Sequence, residues 1–441
     1  MEFFLMLKAI PAAVAVCLAA SVVPAAHSAE GDFQEPANCR YGMYWSDTFS
    51  PPPAFPGQTR APRPAAASKI GVDVVATGLS HPWSMAFLPD GSLLVTERGG
   101  TLRSVDAQGR ISEPLAGLPS MKAGPPGSLF DIALDPDFAH NRRVYIDYFA
   151  PPAGPILPPA ENVARWQAWL KLSPAERRTM DVGMGHVARA VLSADGRSLE
   201  QLTNIVDGNL EGRLRFARDG SLMISSGTPA GGSLPSDLEP QDTGNAYGKV
   251  LRVRTDGSIP ADNPFVGRAG FRPDLYTYGA RDIQGLTMNP ATGQFWSSEN
   301  GPRGGDEINI DRPGSNLGHP LISYGREYSS APLNGGLTAK DGLEQPVYFW
   351  TPSIAPSGLS FYSGARFPAW RGNLFVAALA GKRLERLVLD GERVVGEEPL
   401  LLDRCQRMRA VYEGPDGYLY VITDEDPGQV LRIRPVTKAA G

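Results

Sequence analysis

At 441 residues with 42% hydrophobic content the chain can bury a large core, and length alone would suggest roughly two or three domains unless the fold is an all-β ring. Its formal charge of −5, with no basic block, lacks the electrostatic footprint that nucleic-acid binding requires, and leaves neutral or anionic small molecules open as ligands. The 49 glycines and 41 prolines suit many short strands joined by tight turns rather than a helical enzyme.

Residues 1–29 carry one basic residue, Lys8, an apolar run from Ala9 to Ala26, and a small-residue stretch ending at Ala29. That order is the order of a removable secretory signal. A membrane anchor reads less well, because Pro11 and Pro24 interrupt the run and no basic flank follows it. No later segment is apolar for long enough to span a bilayer, so the expected location is the periplasm or the medium. Once Cys17 departs with the signal, Cys39 and Cys405 are the only cysteines left, in a compartment where disulfides persist. A bond between them would tie the N-terminal arm to the last part of the chain, where a ring needs closing. Two unpaired thiols are the alternative, since sequence carries no Cα separation.

Residues 30–68 are rich in Pro, Ala and Ser, with the run Pro51-Pro52-Pro53, and read as an extended arm. One unit then recurs across residues 69–437: an apolar strand, a Pro-Asp-Gly or similar turn, and a second, alternating strand. The copies run Phe87–Glu97, Leu134–Tyr148, Phe216–Ser226, Met288–Ser298, Phe361–Val376 and Glu413–Thr423. Asp and Gly supply the turn's hydrogen bond and its positive φ. Six copies predict a six-bladed β-propeller, because a lone blade cannot bury both its faces and must stack on neighbours around an axis. A two-sheet sandwich would space its turns more closely and evenly. One segment, about 158–182, breaks the strand rhythm: Glu161–Met180 has apolar residues at helical spacing, with Ser173-Pro174 able to cap and start a second helix. It reads as a short helical insertion, placing Trp166 and Trp169 either at a substrate mouth or on the ring's outside.

Five strings carry chemistry: Leu79-Ser-His-Pro-Trp-Ser-Met-Ala-Phe87, Tyr278-Gly-Ala-Arg-Asp-Ile-Gln-Gly-Leu286, Glu299-Asn-Gly-Pro-Arg-Gly-Gly-Asp-Glu-Ile-Asn309, Asn316-Leu-Gly-His-Pro320, and Gln406-Arg-Met-Arg-Ala410 ahead of Gly414-Pro-Asp-Gly-Tyr-Leu-Tyr-Val-Ile-Thr-Asp424. In this order, from about Ile70 to Pro435, the chain resembles the glucose/sorbosone dehydrogenases, a family of sugar-oxidising quinoproteins. The resemblance implies pyrroloquinoline quinone (PQQ) over one mouth of the ring, with Ca²⁺ polarising its reactive carbonyl. It matches Arg281, Arg407 and Arg409 to the arginines that meet the cofactor's carboxylates, for which a guanidinium fork is suited. Gly301 and Pro302 match the pair whose backbone carbonyls hold the cofactor's Ca²⁺, Asp306 and Glu307 match a second, structural Ca²⁺ site, and Asp424 matches an aspartate near the cofactor.

Several positions depart from the family's pattern. Its general base is a histidine four residues before the Arg of a Gly-Arg-Leu string, and before Gly212-Arg213-Leu214 that position holds Asn209, which cannot accept a proton at neutral pH. The substrate-side glutamine falls on Pro126 and the cofactor lysine on Ala380, with Lys382 two residues on. The usual Asn beside the arginine is Asp282. A carboxylate could take over as base: Asp282, although its arginine neighbour lowers a carboxylate's pKa and weakens it, or Glu211, two residues after Asn209 and so on the same side of a continued strand.

The leading expectation is an exported PQQ- and Ca²⁺-dependent dehydrogenase with an altered base, acting on a sugar, polyol or cyclic alcohol, its electron acceptor unspecified. Two other readings use the same ring: a quinone-free, Ca²⁺-dependent carbohydrate lyase or hydrolase, and a carbohydrate-binding propeller without turnover.

Overall fold

A computed structural model describes residues 49–119, 121, 129–150, 184–209, 211–228 and 238–436, with isolated positions between 161 and 176. The ring opens with β1 (Ile70–Leu79) and a three-stranded blade of β2 (Pro82–Phe87), β3 (Leu93–Glu97) and β4 (Thr101–Val105). Blade two holds β5 (Leu129–Leu134), β6 (Arg143–Ala150), β7 (Met184–Leu192) and β8 (Leu199–Asn209). Blade three holds β9 (Leu214–Phe216), β10 (Leu222–Ser226), β11 (Lys249–Val253) and β12 (Leu275–Tyr278). Blade four is β13 (Ile283–Met288), β14 (Phe295–Glu299), β15 (Asp306–Asp311) and β16 (Tyr348–Trp350), and blade five β17 (Pro356–Phe361), β18 (Leu374–Ala378), β19 (Arg383–Asp390) and β20 (Arg393–Leu400). The last blade combines β21 (Met408–Glu413), β22 (Leu419–Thr423) and β23 (Gly428–Pro435) with β1, which pairs antiparallel to β23 from Ile70↔Pro435 to Leu79↔Gly428.

The N-terminal strand of the ring therefore closes it. The sequence had suggested a disulfide for that task. Cys405 is disulfide-bonded, while Cys39 and the signal segment 1–29 lie outside the described residues. Most of the helical insertion does too, although positions 161, 164, 168 and 176 are helical. No helix among the described residues is long and apolar enough to cross a membrane.

Each predicted repeat is the hairpin between a blade's first and second strands. In three of them Asp90, Asp219 and Asp416 accept a hydrogen bond from the backbone N–H two residues on, at 3.0, 2.9 and 3.2 Å. The glycines that follow, Gly91, Gly220 and Gly417, take φ of 84°, 80° and 78°, which a side chain disfavours. The second strands differ from expectation in one respect. They do not alternate: β3, β10, β14, β18 and β22 are buried at every position. A neighbouring blade covers each face, as between blades four and five, where Trp296, Ile308 and Tyr348 pack with Leu359, Phe361 and Val376. Each such side chain contributes about 1.5–3 kcal/mol when fully buried, so blade stacking is the main force holding the ring. The described part of the arm turns at Phe55–Gln58 and packs against blades four and five, where Gln58 donates to Pro346 O at 2.8 Å, Ala61 N–H donates to the Tyr348 hydroxyl at 2.8 Å and Glu397 N–H donates to Pro62 O at 3.1 Å.

The innermost strands β2, β5, β9, β13, β17 and β21 touch in turn around the axis. All six run the same way, so residues just before them share one mouth with those just after the second strands. The hairpin turns occupy the other mouth.

Candidate functional site

At the axis, Arg213 is fully buried and connects all six innermost strands. It immediately precedes β9, stacks its guanidinium 3.7 Å from the ring centre of Trp83 on β2, and stands 3.8 Å from Asp131 on β5. Its nitrogens donate to Gln284 O on β13, Ser357 Oγ on β17, and Arg409 O on β21. Asp131, also fully buried, is held further by Ser84, Arg215 and Leu214 N–H. This network fills the centre of the ring and makes a floor under one mouth.

Above that floor lies a charged cluster. The Arg409 guanidinium donates to Asp424 Oδ2 at 2.6 Å and to Gln284 Oε1 at 3.2 Å, and Gln284 in turn donates to Asp282 Oδ1 at 3.0 Å. Arg407 stands 3.6 Å from the same Asp424 oxygen, and His81 Nδ1 lies 3.0 Å from the other. Burial pushes the Asp424 carboxyl up, but Arg409, Arg407 and His81 outweigh it and hold it at about 2, so it is a carboxylate throughout the neutral range. Glu211 accepts from the Trp83 indole N–H at 3.3 Å. Burial and the Asp282 carboxyl raise its pKa against the pull of Arg409 and Arg98.

To one side, Arg281 donates to the carbonyls of Asn300 and Gly301 at 2.5 and 3.1 Å, and its backbone N–H bonds Glu299. Glu299 and Glu307 face each other across β14 and β15, both buried. Burial raises both carboxyls: Glu299 stands at about 6, and Glu307 is driven well above its ordinary value by burial and by Glu299. With Arg281, Gly301, Pro302, Leu317 and His319 they line a cavity of about 10 Å³, room for the centre of one water or ion. Burial and Arg281 hold His319 down at about 3, so its imidazole is neutral.

A family model described as glucose/sorbosone dehydrogenase matches residues 79–432. Over 378 residues, 84% of this chain and 94% of the other, the sequence is 38% identical to aldose sugar dehydrogenase YliI of Escherichia coli (strain K12). The chain belongs to the glucose/sorbosone dehydrogenase family. It is similar to a solved glucose dehydrogenase, with 40% identity, a TM-score of 0.72, and coverage of 83% of this chain and all of that one. It is also similar to the PQQ-bound form of aldose sugar dehydrogenase from Streptomyces coelicolor, at 26% identity and a TM-score of 0.62, covering 84% of this chain and 99% of that one.

As a member of that family the chain places most of its expected residues at one mouth. Arg281, Asp282, Arg407, Arg409 and Asp424 flank the starts of β13 and β21 and the end of β22, the last four linked through Gln284 and Asp424 and Arg281 bonded separately to the Asn300–Gly301 loop. Lys382 sits at the same mouth in the turn between β18 and β19, left-handed at φ 49°, and has no hydrogen-bond or ion-pair partner among the described residues. Two expectations change. Glu211 is not on a continued strand: β8 ends at Asn209, opposite Gly185, and Glu211 turns at φ 44°, so alternation does not govern where it points. The side chain of Asn209, and all of Pro126, lie outside the described residues. Asp306, expected as a metal ligand, spends its oxygens on Gly301 N–H, Ser353 Oγ, Ile354 N–H and Ala355 N–H, and burial raises it to about 6. Its geometry is that of a clamp on the Gly301 loop, and Glu299 stands beside Glu307 instead. Sequence reading missed Glu299, Gln284, Trp83 and His81. The signal for them was positional, since His81-Pro-Trp opens an inner strand just as Arg281-Asp-Ile and Arg407-Met-Arg do.

Proposed function

We propose that the protein is an exported, PQQ- and Ca²⁺-dependent dehydrogenase of a sugar, polyol or cyclic alcohol. The observation that carries this reading is a pair of buried donors at the mouth: the Nε–H groups of Arg281 and Arg409 have no hydrogen-bond acceptor among the described residues. Buried guanidinium nitrogens left unmatched suit a ligand bearing several carboxylates, and Arg407 and Lys382 add positive charge around them. For the cation, no group of three or more His, Cys, Asp or Glu side chains among the described residues is arranged to hold a metal. The donor set is instead backbone carbonyls with a carboxylate pair. One lone pair of Gly301 O is taken by Arg281 and the other remains, and the Glu299–Glu307 pair is a buried surplus of acid that a hard divalent ion would relieve.

When bound, the quinone supplies a two-electron oxidant and Ca²⁺ polarises its reactive carbonyl. Arg281, Arg407, Arg409 and Lys382 would hold the carboxylates, with the carbonyls of Gly301 and Pro302 on the Ca²⁺. Asp424 fixes the spacing of Arg407 and Arg409, and the buried Arg213 occupies the axis beneath them. An alcohol oxidation also needs a base for the hydroxyl proton, worth on the order of 10²–10⁴ in rate, and Asn209 supplies none of it. Glu211 and Asp282 are the carboxylates within the cluster. The test is reconstitution with PQQ and Ca²⁺ followed by a panel of aldoses, polyols and cyclic alcohols, reading reduction of the quinone spectrum. Reduction by some members and slow reaction with glucose are expected. Fast glucose oxidation would contradict the altered base, and no reduction by any member would contradict the activity.

A further inference from the structure

We infer that His81, oriented by Asp424, is the general base of this enzyme, taking the substrate's hydroxyl proton at Nε2 in place of a base at position 209. The inference rests on the dehydrogenase reading above and names the residue that reading leaves open.

Five histidines occur in the chain, and the fold sorts them. His27 is outside the described residues. His140 pairs with Asp137 at the hairpin mouth, on the wrong side of the ring. His186 lies on β7, an outer strand, where Asp207 and Asn204 both meet its Nδ1. His319 is buried with no partner for Nε2, beside the Arg281 charge that keeps it neutral. Among the described histidines, His81 alone contacts the carboxylate that Arg407 and Arg409 hold.

Its setting is that of an oriented base. The Asp424 carboxylate can only accept, so the proton of the neutral imidazole sits on Nδ1 and the Nε2 lone pair is left available. No second hydrogen bond engages the ring among the described residues. The ring is 48% exposed while Asp424 is 4% exposed, so the base is open to the mouth and its orienting group is shielded. Asp424 is itself anchored by Arg409, which fixes the dyad against the residues proposed to hold the cofactor. The backbone is pinned as well: His81 takes a left-handed φ of 44°, its N–H donates to Glu425 O at 2.8 Å, and its carbonyl accepts from Arg98 N–H at 3.0 Å. By contrast Glu211 is tied to the Trp83 indole and Asp282 to the Gln284 amide. In the step, the hydroxyl O–H breaks and its proton passes to Nε2, giving imidazolium. The quinone, when bound, would supply the two-electron oxidant that takes the adjacent C–H hydrogen with its electron pair, as the carbon–oxygen bond becomes a carbonyl.

Of the charged groups around His81, Asp424 meets the ring itself, Arg407 and Arg409 pair with that same carboxylate, Glu97 at the end of β3 and Asp426 after β22 bond the neighbouring Ser80, and Arg98 and Glu425 bond the His81 backbone through their own backbones. A pH profile must therefore be paired with variants. Glycine is comfortable at a left-handed φ, so His81→Gly keeps the turn. In the protein without cofactor, ¹⁵N NMR of the imidazoles should show His81 as the Nδ1–H tautomer, a preference lost in Asp424→Asn. A dominant Nε2–H tautomer would overturn the assignment whatever the protein binds. In the reconstituted enzyme, His81→Gly should bind PQQ as the wild type does, yet lose about 10²–10⁴-fold in quinone reduction and the acid limb of kcat/KM, with imidazole in the buffer restoring rate. A full rate in His81→Gly, or an acid limb that survives there and disappears in Glu211→Gln, would overturn it. Failure of the wild type to bind PQQ would be seen separately, in the binding titration, and would remove the quinone reading and this base together.

Discussion

At the hairpin mouth, Asp90, Asp219, Asn289 and Asp416 each accept from a backbone N–H two residues along the chain. At the opposite mouth, His81 meets Asp424 across 343 positions, Arg213 meets Arg409 O across 196, and Trp83 meets Glu211 across 128. The first kind of bond forms in an isolated hairpin. The second exists only when all six blades have closed, so the charged mouth reports the integrity of the whole ring and the turn mouth does not.

The largest effect that would sharpen this contrast is expected at the axis. Arg213→Met removes a fully buried guanidinium that six strands share, and the loss should be about 3–5 kcal/mol in urea unfolding, the scale for breaking a buried ion pair. A loss below about 1 kcal/mol would show that the strands hold one another without it.

Next comes Asp424, whose folded pKa is depressed from 3.8 to about 2. A depressed carboxylate contributes stability above its unfolded pKa and loses it as pH falls through the folded value. Asp424→Asn should therefore cost about 2 kcal/mol at neutral pH, and the gap from wild type should shrink as pH drops from about 4 towards 2. A gap independent of pH over that window would mean that the ion pairs do not stabilise the mouth.

The smallest effect belongs to the turn mouth. Asp90→Ala loses two exposed local hydrogen bonds, from the Ser92 N–H and hydroxyl, and should cost no more than about 1 kcal/mol, with PQQ binding unchanged. A larger loss, or weaker cofactor binding, would show that the two mouths are coupled.

The same contrast explains what the sequence disclosed. Blade number was legible because Pro-Asp-Gly and similar turns are local chemistry, and six of them recur along the chain. Closure by β1 was not, since pairing Ile70 with Pro435 is a relation between distant segments that no local pattern records. Arg281, Arg407, Arg409 and Asp424 were legible through the family's strings, whereas His81 looked like a turn residue until Asp424 was seen beside it. Glu211 was found for an incorrect reason: alternation along a strand fails once the backbone turns left-handed after β8. Asp306 was read as a ligand because an acidic string cannot show that Gly301 N–H and three donors from the distant segment 353–355 already claim the carboxylate.

The central claim is that the charged mouth is a cofactor site, and a titration tests it most directly. Purified protein would be mixed with PQQ, in Ca²⁺ or in chelator, and the quinone absorption followed for wild type and Arg409→Gln. Saturable binding at one site that requires Ca²⁺ is expected, weakened about 10–100-fold in Arg409→Gln, the range for losing hydrogen bonds to a charged group. No saturable change in the wild type, or equal binding by the variant, would contradict the account.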